Sequence, residues 1–179
     1  PQLGVVSLAP HRNFVIADIP GLISGAADGA GLGTRFLKHL TRTRILLHLV
    51  DVAPVDGKDP VEVVEIIADE LEQFSPSLAA RERWLVLNKV DLVDADERDE
   101  FVAALKDTFN WPHPVHLISG VTGEGCELLA YHLMSRFEEL AIERREDPDA
   151  EQAERTWLDQ IAEEAHERIA LLRETRRMR

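Results

Sequence analysis

Cysteine is all but missing. Cys126 stands alone among 179 residues, so no internal disulfide can form, and a reducing, cytoplasmic location is expected. Its expected role is to fill an apolar helix face. Long apolar runs are missing too. Nothing approaches the roughly 20 residues a helix needs to span a bilayer, and no secretory signal opens the chain. No internal repeat is present. Basic charge is scarce: 20 Lys and Arg face 33 Asp and Glu, a formal net charge of −13. So acidic a body repels nucleic acid, although one local basic face is compatible with it. His113-x-x-His116 has no cysteine or carboxylate cluster beside it, which argues against zinc. The chain begins with Pro1 and enters an apparent strand almost at once, as expected of a fragment or processed piece.

What is present reads as an ordinary soluble globular chain, 45% hydrophobic and 30% charged. Its length suits one domain with an appendage. Charge is unevenly spread. Residues 1–50 hold five basic against two acidic residues, +3, and the remainder fifteen against thirty-one, −16. Gln2–Leu8 and Asn13–Ile19 read as strands joined by a turn at Pro10–Arg12. Thr34–Arg44 has Phe36, Leu37 and Leu40 at helical spacing, with Arg35, Lys38 and Arg42 along one side. That side is either a solvated face or an electrostatic dock. Ile45–Val52 is apolar enough to predict a strand covered on both faces, with His48 a hydrogen-bonded core residue. Pro60 starts a helix to about Phe74 with Val61, Val64, Ile67 and Leu71 on one side. Arg83–Asp91 predicts a buried strand running into a loop, Asp94–Phe109 a helix and Val115–Ser119 a strand. Gly120–Gly125 then leads into a helix through about Arg144. Strand and helix alternate, so the fold class is α/β with a mostly parallel sheet flanked by helices. Asp147-Pro148 closes that domain, giving boundaries of 1–146 and 147–179. The second part is one long helix with Trp157, Ile161, Ala165, Ile169 and Leu172 in a stripe that packs back or meets a partner.

Three stretches follow predicted strands. They are Asp18-Ile19-Pro20-Gly21, Asn88-Lys89-Val90-Asp91 and Ser119-Gly120-Val121. Ligands of open α/β sheets bind at the carboxyl ends of strands, so all three are expected on one rim. Five of the ten glycines fall between Gly21 and Gly33, which suits a loop that reshapes around a charged ligand. Asn88–Asp91 has the chemistry of a guanine reader. Guanine offers two adjacent donors, N1–H and the 2-amino group, and the Asp91 carboxylate can accept both. Adenine would leave that carboxylate unpaired, and a buried unmet partner rejects the wrong base. Lys89 can lay its stem along the base. Asn88 can bond the base edge or tie loops together. The Ser119 hydroxyl can brace a neighbouring loop, and the Gly120 amide can reach guanine O6. Asp18 is then placed to hold Mg²⁺ through water, and the Gly21 amide to bond the terminal phosphate. That makes these two the residues at the reacting group.

These stretches together resemble the GTPase domain of the Obg family, in the translation-factor class of P-loop GTPases. The resemblance rests on Leu3–Val6, Asp18–Leu40, Leu46–Asp51, Trp84–Leu92 and Leu117–Gly125, and it covers about residues 1–140. It implies GTP binding with slow hydrolysis to GDP, association with the large ribosomal subunit during assembly, and guanine-nucleotide sensing. Two departures stand out. No Gly-x-x-x-x-Gly-Lys-Ser/Thr loop occurs in the 179 residues. The family's first strand and phosphate loop are therefore expected ahead of Pro1, and the chain alone is expected to lack turnover. Leu22 stands where small Ras-like GTPases carry a water-orienting glutamine, so orientation is expected from elsewhere, a bound monovalent cation or the ribosome being candidate sources. The missing strand belongs between Asn13–Ile19 and Ile45–Val52. Two bare strand edges make the isolated chain an expected case of instability or abnormal sheet closure. The alternative is a non-catalytic ribosome- or protein-interaction module, working through Arg35, Lys38, Arg42 and the last helix.

Overall fold

The computed structural model describes residues 2–18, 43–109 and 111–177. The glycine loop, with Ile19, Pro20, Gly21 and Leu22, lies outside them, as does the helix segment bearing Arg35, Lys38 and Arg42. Thr43 and Arg44, the expected end of that helix, are not helical. Among the described residues no helix is long and apolar enough to cross a membrane. The fold is mixed α/β, as expected, and its residues gather into two compact units.

One unit takes Arg44–Ile66 and Arg81–His132. At its centre is a parallel three-stranded sheet, β3 (Leu46–Asp51), β4 (Arg83–Asn88) and β5 (Val115–Ile118), with β4 in the middle. Its register brings the strand ends together: Asp51 pairs with Asn88, and Asn88 with Ile118. Helix α1 (Pro60–Phe74) begins with proline at its first turn, where a missing N–H costs nothing. Asp59 caps it, its Oδ1 accepting from the Val61 N–H at 2.8 Å. Helix α3 (Ala95–Phe109) has the reciprocal device, the Asp94 N–H donating to Glu97 Oε2 at 3.1 Å. Val64 of α1 and Leu105 of α3 pack on Val50, Leu85 and Leu87 to form the core. The opposite face carries Trp84 stacked on His116 at 5.2 Å, with His132 of α4 (Cys126–Glu146) 5.3 Å from His116.

Two expectations for β3 need correction. Leu46, His48 and Val50 are buried, but Leu49 is 56% exposed, so the strand is covered on one face only. It is an edge strand among the described residues, and an apolar sequence does not by itself supply a covering layer. His48 is buried, yet among the described residues neither ring nitrogen has a hydrogen-bond partner. Burial, with the positive charge of Arg83, lowers its pKa to about 4. It therefore stays neutral through physiological pH.

The other unit takes the described parts of Pro1–Thr43, together with Ile67–Ala80 and Leu133–Arg179. Strands β1 (Leu3–Ala9) and β2 (Arg12–Ala17) form an antiparallel hairpin, turned at Pro10-His11 with His11 left-handed at φ 66°. Phe14 packs on Phe137 at 5.4 Å, and Arg12 makes a two-point ion pair with Glu138 at 2.8 and 3.1 Å. Leu3, Val5 and Val15 are exposed. The last helix, α5 (Ala150–Arg177), packs back within this unit. Ile161 and Ala165 are fully buried, and Glu164 accepts hydrogen bonds from the Ser75 and Ser77 hydroxyls at 2.6 and 2.7 Å. It also accepts the Ser77 N–H at the start of the short helix α2 (Pro76–Ala79), at 3.0 Å.

Candidate functional site

The carboxyl edge of the three-stranded sheet assembles two of the three sequence stretches. At the end of β4 the chain turns sharply at Lys89, a non-glycine residue held left-handed at φ 69° and ψ 32°. Such a conformation is costly for a side-chain-bearing residue and persists only where its surroundings fix it. One fastening is the ion pair of the Lys89 ammonium with Asp51 Oδ2, across the β3–β4 register. The next residues wind into a single 3₁₀ turn, Val90–Leu92. Val90 is driven fully into the core, which leaves Asp91 facing outward. Among the described residues the Asp91 carboxylate has neither a hydrogen-bond nor an ionic partner.

The loop after β5 is built around Ser119, which is fully buried. Its hydroxyl accepts from the Thr122 N–H at 3.1 Å, its carbonyl accepts from Gly123 at 2.9 Å, and its own N–H donates to the Glu124 carbonyl at 2.9 Å. The serine thus braces its own loop rather than a neighbouring one. Gly125 closes the turn into α4 at φ 71°, where a β-carbon would lie 2.0 Å from the Leu117 carbonyl oxygen, so only glycine fits. Cys126 does not fill an apolar face. It starts α4 partly exposed, its thiol pointed at the Ser119 carbonyl at 3.6 Å, because the tight loop fixes the first helical turn against the strand end.

The two loops are joined by one bond: the Gly120 N–H donates to Asn88 Oδ1 at 2.9 Å. Asn88 therefore acts here as the loop tie, one of its two expected roles. The Gly120 amide, expected to face guanine O6, is engaged by this bond instead. A β-carbon at residue 120 would meet Asn88 Oδ1 at 3.5 Å, ordinary contact, so the backbone amide matters there and the lack of a side chain does not. Val121 is 88% exposed beside it. Asp18 is exposed at the end of β2, its N–H bonded to the Gln2 carbonyl at 2.9 Å, and belongs to the other unit. Ile19, Pro20 and Gly21 are outside the described residues.

Sequence reasoning missed two members of this edge. Asp51 was legible as a strand-ending acid, but its role depends on parallel pairing that sets it against Lys89. Arg98 lies on the first turns of α3. It donates from Nη1 to Glu124 at 2.7 Å and from Nε to the Val93 carbonyl at 3.3 Å.

A family described as 50S ribosome-binding GTPase matches residues 1–89, which include Asp18–Gly21, Asn88 and Lys89. This supports a P-loop GTPase. The fold also resembles a crystal structure of nucleolar GTP-binding protein 1 from Plasmodium falciparum. That likeness has a TM-score of 0.54 at 18% identity and covers 86% of this chain and 78% of the other. At such identity it speaks for the GTPase-type fold alone.

Proposed function

We propose that this chain is the guanine-reading part of an Obg-type protein that binds and hydrolyses GTP. Its place of action would be the large ribosomal subunit during assembly, in the cytoplasm, where it would also sense guanine nucleotides. The single observation that carries the reading is the Gly120–Asn88 bond at 2.9 Å, which ties together two loops, one of them bearing the Asp91 carboxylate, unpartnered among the described residues. A carboxylate held this way suits the paired donors N1–H and 2-amino of guanine. Val121, whose amide has no partner among the described residues, is the donor left for O6. Lys89, anchored by Asp51, would offer its methylene stem to the base plane.

Nucleotide binding is supported further by the match to the 50S ribosome-binding GTPase family. The same description favours a ribosomal partner, met through Arg35, Lys38 and Arg42. Asp18 fits Mg²⁺ held through water, being an exposed hard-oxygen donor at a strand end. The ion, when bound, supplies charge neutralisation at the phosphates. The Gly21 amide would bond the terminal phosphate, and Ile19 and Pro20 would carry the switch. A non-catalytic interaction module is favoured by one observation, the lack of Gly-x-x-x-x-Gly-Lys-Ser/Thr within the 179 residues.

The deciding experiment titrates the full-length natural protein and this chain with GTP, ATP and xanthosine triphosphate, with and without Mg²⁺. Strong preference for GTP over ATP is expected in the full-length protein and none in the chain alone. Asp91→Asn should weaken GTP binding by about 10² to 10³-fold, since the charged acceptor for the two guanine donors is lost, and weaken the xanthine nucleotide far less. Its ring has a carbonyl where guanine has the amine, and an asparagine amide can donate to it. Equal losses for both nucleotides would refute the assignment.

A further inference from the structure

We infer that Arg98 is a positioning residue that sets the spacing of the two base-reading loops, and that guanine selectivity depends on it. The inference rests on the reading just given.

Arg98 projects from α3, which follows the Asn88–Val93 segment directly. Its side chain is 23% exposed. One arm of the guanidinium holds the Val93 carbonyl, at the exit of the first loop, and another holds the Glu124 carboxylate, at the far end of the second. The planar fork makes both bonds at once, which the single ammonium of a lysine does not reproduce. Glu124 is itself wired into the second loop, its carbonyl accepting from Ser119 and its N–H donating to Thr122 Oγ1 at 3.2 Å. The loops are thus fastened at two points along their length. Asn88–Gly120 joins them at the strand ends, and Arg98 joins them where they run into α3 and α4. Asp91 and Val121 lie between these fastenings in sequence. With only the inner one, each loop would pivot about the Asn88–Gly120 bond, and Asp91 and Val121 would lose their mutual spacing. The phosphate contacts proposed for Asp18 and Gly21 belong to a different stretch of the chain and are expected not to feel this change.

The test uses the full-length natural protein and variants Arg98→Ala, Arg98→Lys and Glu124→Gln. GDP, xanthosine diphosphate and GTP affinities are measured, with amide hydrogen exchange at Gly120 and Thr122. For Arg98→Ala the ratio of GDP to xanthosine diphosphate affinity should fall about fivefold, the scale of a partly exposed charge pair with geometric consequences. The GTP-to-GDP ratio should stay unchanged. Arg98→Lys should recover part of the loss, and Gly120 and Thr122 should exchange faster in proportion. The Glu124 side chain is half exposed, so Glu124→Gln tests the same link if Arg98→Ala unfolds the protein, with a smaller drop in the base ratio. An unchanged base ratio in these variants, with normal discrimination in the parent, would overturn the inference. A base ratio and a GTP-to-GDP ratio falling together would also overturn it, because that is the mark of general loosening. Should the unmutated protein not discriminate between the bases, the guanine reading itself fails. Faster exchange would then reduce Arg98 to a loop fastening with no part in selectivity.

Discussion

Strands β3 and β4 run side by side in parallel, residue for residue, and have similar apolar sequences, LLHLVD and RWLVLN. Their environments differ sharply. In β4 the residues Trp84, Leu85, Val86 and Leu87 are all buried in an unbroken run. In β3 burial alternates, Leu49 is out in solvent, and a neutral histidine occupies an inward position without a partner. The middle strand has neighbours on both edges and cover on both faces, while the edge strand has one of each among the described strands. An apolar run therefore reports that a strand is destined for a sheet and leaves its place in the sheet open.

That contrast is breakable by mutation. The largest effect is expected at Leu87→Ala, which should cost about 2–5 kcal/mol in urea denaturation, because a fully buried leucine leaves a cavity between α1, α3 and β4. Next comes acidity at His48. Its folded pKa of about 4 lies below the ordinary value of 6.5, so its contribution is complete above pH 6.5 and is lost as pH falls toward 4. Over that window the unfolded chain takes up a proton that the folded one refuses, and stability should drop by up to about 3 kcal/mol. His48→Leu should flatten this part of the pH profile and add about 1–2 kcal/mol at pH 7, since it removes two unsatisfied ring nitrogens. An equally steep profile in that variant would assign the acid sensitivity to other groups. The smallest effect belongs to Leu49→Ala, within about 0.5 kcal/mol of the parent, as for an exposed position without special geometry. A cost like that of Leu87 would mean that Leu49 is covered in solution, and the distinction between the strands would vanish.

Much of the architecture was legible because it is encoded locally. Proline at a first turn and a 3.6-residue apolar period placed α1 close to its observed bounds, Pro60–Phe74. Three stretches were expected on one edge; the parallel register brings Asn88 and Ile118 level, joining two of them, while Asp18 belongs to the other unit and Ile19–Gly21 lie outside the described residues. What could not be read were side-chain partnerships between distant residues. Lys89 with Asp51, Arg98 with Glu124 and Glu164 with Ser75 and Ser77 each join separate elements, and no short-range pattern announces them. The choice made by Asn88 belongs here as well: two roles were open to its amide, and the nearby Gly120 N–H selects the loop tie.

The amino-acid sequence alone determined where the long helices and the strands among the described residues form, that they alternate, and which residue types stand at the strand ends, because propensity and periodicity act over a few residues. Tertiary structure decided which strand is in the middle, which polar groups find partners, and that Val90 is buried so that Asp91 faces outward. Those outcomes depend on which segments, far apart in the chain, compete for the same space and the same hydrogen bonds.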